Sequence, residues 1–367
     1  MTKNFEVYYA IGLMSGSSLD GLDIAYCSFT KMETWQFEIL CAETCDLGSW
    51  KETLAKRKNY SIEEIEGLSK TFAKFLAEQV QGFINKFKID RLDLVASHGH
   101  TLYHYPEEAR TCQLGNGARL SELLQQTVVS NLRQKDMDYG GQGAPIVPIG
   151  DLLLFPDYKF CLNLGGIANI SFKEQNSIKA YDICPANQVL NYFAKKRNLA
   201  FDEGGELARK GHVSMKVLEQ LNSLDFYSIQ GPKSLDNSFS ENAIFILEEN
   251  KLSVEDALAT YSEHIAYQIN ESVKALLKNT ENQNKEKMRI LLSGGGAFNS
   301  FLIERIGERS MAKLVLASEN LINFKEALVM AFIGVLRIRG EDNVLASVTG
   351  ARQNSSCGDI YYLKDRN

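Results

Sequence analysis

The sequence lacks the features that mark membrane, secreted and nucleic-acid-binding proteins. Its seven cysteines include no Cys-x-x-Cys pair, which favours idle thiols in a reducing compartment over a disulfide scaffold. No apolar segment of signal-peptide type follows MTKNFEVYY, and the longest apolar run, 327–336, is about half a membrane span. A formal net charge of -6 without a large basic block argues against broad nucleic-acid binding. The sequence therefore predicts a cytoplasmic protein with no membrane or nucleic-acid partner.

Two common nucleotide-binding fingerprints, GxxxxGK[ST] and GxGxxG, are also missing, so P-loop and Rossmann folds lose support. The chain has instead three glycine-rich turns, each after an apolar strand. The first, 15–21, lies between the apolar runs 8–14 and 22–29; the second is Gly165-Gly166, and the third is 294–296. The first turn alone could be an ordinary Gly-Ser hairpin. Three such turns in both halves of the chain indicate a nucleotide in a cleft between two similar domains.

The order of elements supports two domains, for which 367 residues are sufficient. A capping box at 61–64 predicts a helix over 62–84, and a similar signal at 253–256 begins a helix that runs to 278. Each half opens with a glycine-tipped hairpin and a third strand, which is a weak internal repeat. We predict an α/β protein with domains 1–150 and 151–349, and a tail, 350–367, that could pack back onto the first.

The turns suit the parts of a nucleotide in different ways. Glycine lets backbone amides approach an anion, while serine and aspartate side chains suit a phosphate and its metal. The triple glycine would let a flat base and ribose lie against bare backbone. Asp20 is the predicted Mg²⁺ ligand, directly or through water. The residues predicted to contact the nucleotide are Gly16, Ser17, Ser18, Leu19, Asp20, Gly21, Leu22, Asp23, Gly165, Gly166, Asn169, Gly294, Gly295, Gly296 and Asn299.

Seven motifs resemble, in content and order, those of the anhydro-N-acetylmuramic acid kinases, members of the sugar kinase, actin and Hsp70 superfamily. The resemblance covers nearly the whole chain and implies two actin-like (ribonuclease H-like) domains that use ATP and Mg²⁺. It implies an enzyme of peptidoglycan recycling that opens the 1,6-anhydro bond of anhydro-N-acetylmuramic acid with water and phosphorylates O6. The products would be N-acetylmuramic acid 6-phosphate and ADP. The motifs are GLMSGSSLDGLDIA, SHGHTLYH, GGQGAPIVP, LNLGGIANIS, SGGGAFN, KEALVMAF and VTGA.

The resemblance places the catalytic base at Asp182. The family pattern Asp-x-Gly-Pro-Gly-Asn reads here Asp-Ile-Cys-Pro-Ala-Asn over 182–187, so both glycines are replaced while Pro185 and Asn187 stay in register. Asp182 would accept a proton from the attacking water. From the residues alone, an aspartate at a strand end is more often a helix cap.

The resemblance also suggests three substrate residues. Arg133 follows Asn131-Leu132 where the family has Asp-Phe, and it would contact the lactyl carboxylate of the sugar. Glu326 would hold a sugar hydroxyl, or it would only favour the helix dipole. His98 would belong to a substrate loop or to the packing. Zinc is disfavoured because the spacing of His98, His100, His104 and Cys112 matches no standard zinc pattern.

Two other functions stay open on the sequence. One is a non-catalytic Hsp70-like or actin-like ATP-binding protein, although no second peptide-binding domain or polymer-forming insertion is apparent. The other is a kinase of another hexose or amino sugar, which would share the nucleotide turns. The GGQGAP loop and the surroundings of Asp182 favour the anhydro sugar. A homodimer is compatible with the sequence.

Overall fold

The computed structural model describes residues 6–16, 19–55, 60–174, 177–229, 233, 235, 237–278 and 288–362. They form an α/β protein of two compact units, 1–156 with 324–367, and 157–323. The strands are β1 (Glu6–Ser15), β2 (Leu22–Lys31), β3 (Trp35–Cys45), β4 (Leu94–Tyr105), β5 (Arg110–Leu114), β6 (Val128–Ser130), β7 (Phe160–Leu164), β8 (Ile167–Lys173), β9 (Ile178–Pro185), β10 (Arg289–Ser293), β11 (Lys313–Leu316) and β12 (Asp359–Tyr361). The helices are α1 (Trp50–Ala55), α2 (Ile62–Phe87), α3 (Gly117–Leu124), α4 (Gln134–Asp138), α5 (Pro148–Leu154), α6 (Asn187–Lys195), α7 (Met215–Asn222), α8 (Asn237–Glu249), α9 (Val254–Leu277), α10 (Ser300–Arg309), α11 (Glu319–Ile338) and α12 (Ala346–Thr349).

The sheets of the two units share a five-strand core of the same topology. The sheet of unit 1 has the order β12-β6-β4-β1-β2-β3, with β5 added to β4, and the sheet of unit 2 has the order β11-β10-β7-β8-β9. In each, the first three strands form an antiparallel meander, and the fourth strand pairs in parallel with the first. The predicted repeat and the α/β class are confirmed, and the shared order is that of a ribonuclease H-like domain.

Helices cover both faces of the unit 1 sheet. On one face, α2 buries Phe72, Leu76, Val80 and Phe83 against the sheet, and each such side chain contributes about 1.5–3 kcal/mol when buried. On the other face, α11 lies so close that a Cβ at Gly12 would fall 1.9 Å from a carbonyl oxygen of the helix. The capping box that begins α2 is present as predicted, with both of its hydrogen bonds.

Helix α9 is the central helix of unit 2. Its buried residues occupy most of its circumference, as expected of a helix enclosed by other elements. Tyr261 is fully buried, and its hydroxyl donates to the carbonyl of Pro185 at 3.0 Å, which ties α9 to the end of β9. Ser253 caps the helix by accepting from the Asp256 amide at 3.0 Å, as the sequence predicts.

The structure corrects several predicted boundaries. The segment 324–349, predicted within the second domain, belongs to unit 1, and the division of the chain falls after Pro156 rather than at 150. The glycine-rich region 131–148 contains α4 and the first residue of α5. Strand β12 pairs with β6, so the C-terminal tail adds to the sheet of unit 1.

Candidate functional site

The first glycine turn joins β1 to β2. Ser17 and Ser18, two of its predicted nucleotide contacts, lie outside the described residues. The Leu19 amide donates to the Gly16 carbonyl at 3.2 Å, and Leu19 has a φ of 58°, which is unusual for a bulky side chain. A Cβ at Gly21 would lie 2.3 Å from Thr44 Cγ2. Gly21 is therefore required by the contact with β3, whatever it contributes to a ligand.

Two carboxylates follow this turn. Asp20 is exposed, and Asp23 accepts a hydrogen bond from the Thr44 hydroxyl at 2.6 Å. Burial raises the pKa of Asp23, and the negative charge of Asp20 raises it further, against the lowering effect of Thr44. A divalent cation would relieve the repulsion between the two carboxylates, and carboxylate oxygens are ligands that Mg²⁺ accepts. Asp20 and Asp23 therefore fit a Mg²⁺ site chemically.

The second turn joins β7 to β8 and holds the start of α6. The Gly165 carbonyl accepts from the Asn187 amide at 3.1 Å, and the Gly166 carbonyl accepts from the Ala186 and Gln188 amides at 2.7 and 3.2 Å. Within the described parts of the chain, the amides of Gly165 and Gly166 donate to no protein acceptor. The turn thus uses its carbonyls for the fold and presents two amide donors that a phosphate could accept from.

The third turn begins at the end of β10, and its three glycines have different constraints. Gly294 has a φ of 80°, and a Cβ there would lie 2.5 Å from Asn163 Oδ1. A Cβ at Gly296 would lie 2.8 Å from that of Leu164. A Cβ at Gly295 would have Asn187 Nδ2 as its nearest neighbour, 4.0 Å away. Gly294 and Gly296 are needed for packing, whereas Gly295 leaves open space in which a flat ligand group would fit.

Asn299, predicted to contact the nucleotide, is the N-cap of α10. Its side-chain oxygen accepts from the Leu302 amide at 3.0 Å, and Gly205 packs against the same oxygen so closely that a Cβ there would lie 2.4 Å away. Capping therefore occupies the carbonyl of Asn299 and leaves its amide nitrogen as the group available to a ligand.

A row of polar residues crosses the unit 2 sheet where hydrophobic residues would be expected. Ser293 pairs with Asn163, Asn163 with Asn169, and Asn169 with Asp182. Directly paired residues share a face of a sheet, so these side chains lie side by side over four strands. Asn169 and Asp182 were predicted to be functional, and the sheet register brings them together with Asn163 and Ser293.

Asp182 lies inside β9, three residues before its end, rather than at the strand end as predicted. Its amide donates to the carbonyl of Lys233, and its Oδ2 accepts from the amide of Leu235, both at 3.0 Å. No described residue donates to the other carboxylate oxygen. Burial raises the pKa of Asp182, and the Leu235 amide partly opposes this shift. One oxygen is fixed and the other is available, as a general base requires.

His98 and Arg133, predicted from distant motifs, are in direct contact. The Arg133 guanidinium donates to His98 Nε2 through Nε at 2.9 Å and Nη2 at 2.7 Å, and His98 Nδ1 donates to the Gly99 carbonyl at 3.1 Å. These partners fix the neutral tautomer with its proton on Nδ1. Burial, and secondarily the positive charge of Arg133, lowers the pKa of His98 to about 3. Arg133 also donates to the Gly143 carbonyl at 2.7 Å.

The pKa of Arg133 is lowered by burial to about 10, against the opposing effect of Glu326, so the guanidinium stays charged at neutral pH. Its side chain keeps partial solvent access. The Arg133 guanidinium is therefore a cation whose hydrogen-bond partners, the His98 ring and the Gly143 carbonyl, are both neutral. Such a group can bind a carboxylate without a competing counterion in contact with it.

Glu326 was predicted to begin a helix, and the structure places it inside α11, two residues after a kink at Phe324. Glu326 is exposed to solvent. Its pKa is raised by desolvation and then by Asp23, while Lys325 and Arg133 lower it. Lys325 itself pairs with the buried Asp151 at 2.7 Å. Glu326 can accept a hydrogen bond from a hydroxyl group, and its raised pKa makes it a stronger proton acceptor than an ordinary glutamate.

The remaining histidines of this region bond to hydroxyl groups. His100 Nδ1 lies 3.0 Å from Ser15 Oγ, and His104 Nδ1 lies 2.9 Å from Thr111 Oγ1. Among the residues that the structure describes, no group of three or more His, Cys, Asp or Glu side chains is placed to hold a metal ion. No described helix has the length and apolar character needed to span a membrane.

Sequence reasoning missed three residues that shape the site. Asn163 lies beside Gly294. It could have been found in the sequence as the one polar residue of an apolar strand just before Gly165-Gly166. Lys233 holds the backbone of Asp182 from a segment with no regular periodicity. Asp136 bonds to the glycine-rich loop at Gly143, and its sequence context of charged and polar residues gave no signal.

Comparisons with known proteins agree on one family. A family model described as "Anhydro-N-acetylmuramic acid kinase" matches residues 8–363. The relative of that name from Haemophilus influenzae is 29% identical over 98% of this chain and 99% of its own length. The relative from Gloeobacter violaceus is 32% identical over 96% of this chain and 98% of its own.

Likeness to solved structures is weaker. A ROK family glucokinase from Streptomyces griseus in complex with glucose and AMPPNP matches at 10% identity with a TM-score of 0.42, covering 90% of this chain and 99% of that one. This likeness is too low to carry a functional argument.

Proposed function

The chain belongs to the anhydro-N-acetylmuramic acid kinase family, and from that premise we propose which of its residues carry out the family's reaction. The enzyme is an ATP-dependent phosphotransferase that also hydrolyses the anhydro bond of its sugar. Water adds to C1, the bond from C1 to O6 breaks, and O6 takes the γ-phosphoryl group of ATP. The proposed products are N-acetylmuramic acid 6-phosphate and ADP.

Asp182 is the proposed general base, and the observation that supports it best is its asymmetric carboxylate. Leu235 holds Oδ2, no described residue donates to Oδ1, and burial raises the pKa of the group. A raised pKa makes the ionised carboxylate a better proton acceptor. Asp182 would take the proton of the attacking water through Oδ1, and Asn169 beside it would orient that water.

Arg133 is the proposed partner of the lactyl carboxylate, which distinguishes this sugar from other amino sugars. The guanidinium uses Nε, Nη1 and Nη2 toward His98 and Gly143, and its remaining N–H groups would donate to the carboxylate. His98 acts by orientation, since its neutral Nε2 can only accept from the guanidinium. Glu326 would accept from a sugar hydroxyl.

The nucleotide contacts are proposed at the glycine turns. The free amides of Gly165 and Gly166 would donate to phosphate oxygens, and the open side of Gly295 would take the base or ribose. Asp20 and Asp23 would hold Mg²⁺, which when bound neutralises phosphate charge. All seven cysteines are free thiols, which supports a reducing, cytoplasmic location.

A thermal-shift panel tests the proposal. A ligand that binds only the folded state raises the melting temperature, by an amount set by its concentration and affinity. We expect shifts with ATP and Mg²⁺ and with anhydro-N-acetylmuramic acid, and a smaller shift with anhydro-N-acetylglucosamine, which lacks the lactyl carboxylate. Equal shifts with both anhydro sugars would contradict the role of Arg133. A shift with glucose alone would favour a kinase of ordinary hexoses.

A further inference from the structure

A buried carboxylate lies behind the proposed sugar-binding arginine and has no role in the reaction described above. Asp136, in α4, has no exposed surface. Its Oδ2 accepts from the Gly143 amide and its Oδ1 accepts from the Thr349 hydroxyl, both at 2.8 Å. Among the described residues it forms no ion pair. Burying a carboxyl group is costly unless its oxygens are hydrogen-bonded, and these two hydrogen bonds supply a partner to each oxygen.

The hydrogen bonds continue to the guanidinium. Gly143 donates its backbone amide to Asp136, and its backbone carbonyl accepts from Arg133 Nη1 at 2.7 Å. One glycine thus links the buried carboxylate to the arginine. Arg133 in turn donates to His98. The orientation of Gly143 sets where the guanidinium can point, and Asp136 sets the orientation of Gly143.

The glycine loop is shaped around the same carboxylate. The Gly141 amide donates to the Asp136 carbonyl at 3.0 Å, and a Cβ at Gly141 would lie 2.2 Å from Asp136 Oδ2. On the other side, the Gln142 amide donates to the Thr349 carbonyl at 2.9 Å. Gly143 has a φ of 67°, and a Cβ there would lie 2.8 Å from Met137 Cγ. The loop is bound to α4 and to α12 and has little freedom of its own.

We propose that Asp136 is a positioning residue for Arg133, acting through the backbone of Gly143, and that it thereby sets the preference of the enzyme for a sugar with a carboxylate. This inference rests on the proposed function, in which Arg133 binds the lactyl group. Asp136 touches neither the substrate nor the reacting atoms. Thr349 supports it from the C-terminal segment, 213 residues away in sequence.

The test compares two variants of Asp136 on two sugars, anhydro-N-acetylmuramic acid and anhydro-N-acetylglucosamine. Asp136→Ala removes the acceptor of the Gly143 amide. We expect kcat/KM for the carboxylate sugar to fall about ten-fold, the size of one hydrogen bond to a charged group, mainly through KM. The other sugar should change less than about two-fold, because the effect is specific to Arg133. An equal loss on both sugars would overturn the inference and leave Asp136 a purely structural residue.

Asp136→Asn is the matched conservative variant. Its side-chain oxygen can accept from Gly143 while its NH₂ donates to the Thr349 oxygen, which can then donate to the Leu345 carbonyl, now 3.3 Å away. We expect this variant to keep the sugar preference, since the acceptor and not the charge positions the loop. If Asp136→Ala does not fold, the double change of Asp136→Leu with Thr349→Val removes the acceptor and its hydroxyl partner together while it keeps much of the side-chain volume. That double variant should lose the preference, and retention would overturn the inference.

A double-mutant cycle with Arg133→Met separates this inference from the function on which it rests. If Asp136 acts through Arg133, Asp136→Ala should have almost no further effect on sugar preference in the Arg133→Met background. Additive losses would overturn the inference alone. If Arg133→Met itself keeps the full preference for the carboxylate sugar, the proposed role of Arg133 is wrong, and the inference is overturned with it.

Discussion

Replacement of Asp182 by asparagine should separate catalysis from binding. Asparagine has nearly the same shape, and its oxygen can keep the 3.0 Å hydrogen bond from the Leu235 amide. What is lost is the proton acceptor at Oδ1. Loss of a general base costs about 10²- to 10⁴-fold in rate, or about 3–5 kcal/mol of barrier. We expect kcat to fall by that factor while dissociation constants for ATP and the sugar change by less than about two-fold.

The same substitution should not destabilise the protein. Because burial raises the pKa of Asp182, the folded state binds the proton more tightly than the unfolded state does. The ionised carboxylate therefore costs stability above its folded pKa, and this cost disappears as the pH falls through that pKa. Asparagine removes the cost at neutral pH, so the melting temperature should stay the same or rise.

Single-turnover kinetics, calorimetric titration and thermal melts measure these quantities, with Asp225→Asn as a control that removes an exposed carboxylate of the same unit. In the native enzyme, kcat/KM should fall as the pH drops through the raised pKa of Asp182, and the control should follow it. An Asp182→Asn enzyme that retains more than a tenth of the native rate would refute the assignment, and Glu326 would be the next candidate base.

Three further predictions concern the nucleotide turns and the buried histidine. Gly295→Val should abolish protection by ATP while the fold survives, since open space adjoins it, whereas Gly294→Val should lower the melting temperature without ligand because its φ is 80°; unchanged ATP affinity in Gly295→Val would make this turn purely structural. Asp20→Asn should raise the Mg²⁺ concentration needed for half-maximal activity, and an unaltered requirement would remove Asp20 from the metal site. The pKa of His98 is about 3 in the folded protein. The protein should therefore lose stability as the pH falls below about 6.5, where the His98 of the unfolded chain takes up a proton. In urea titrations at pH 7 and 5, His98→Gln should lose less unfolding free energy between the two pH values than the native protein does, and equal losses would contradict this.

The elements with strong local signals could be predicted from the sequence. The capping box before α2, the Ser253 cap of α9 and the glycine-tipped hairpins appear as expected, because local hydrogen bonds and periodic apolar residues determine them. Short or edge elements such as β5, β11 and α8 were not predicted. Their formation depends on neighbours that are distant in sequence, as in the pairing of β5 with β4.

The site was predicted in residue type more than in geometry. Asp182 lies inside β9 because the chain continues pairing with β8 to Pro185, which no local pattern indicates. Gly21 and Gly294 were assigned to the ligand, yet each is also required by a close contact with another strand. Asp136 was missed because its partners are Gly143, seven residues away, and Thr349, at the other end of the chain.

The coupling of ring opening to phosphorylation is tested most directly with oxygen-labelled water. O6 is held in the anhydro bond and can accept a phosphoryl group only as its bond to C1 breaks, so the two steps should not run separately. Incubation with the anhydro sugar, ATP and labelled water, sampled before the C1 hydroxyl exchanges, should place the label at C1. The phosphate should be on O6, and one ADP should form per sugar opened. Rapid ring opening without nucleotide would contradict the coupled reaction and make the protein a hydrolase that also binds ATP.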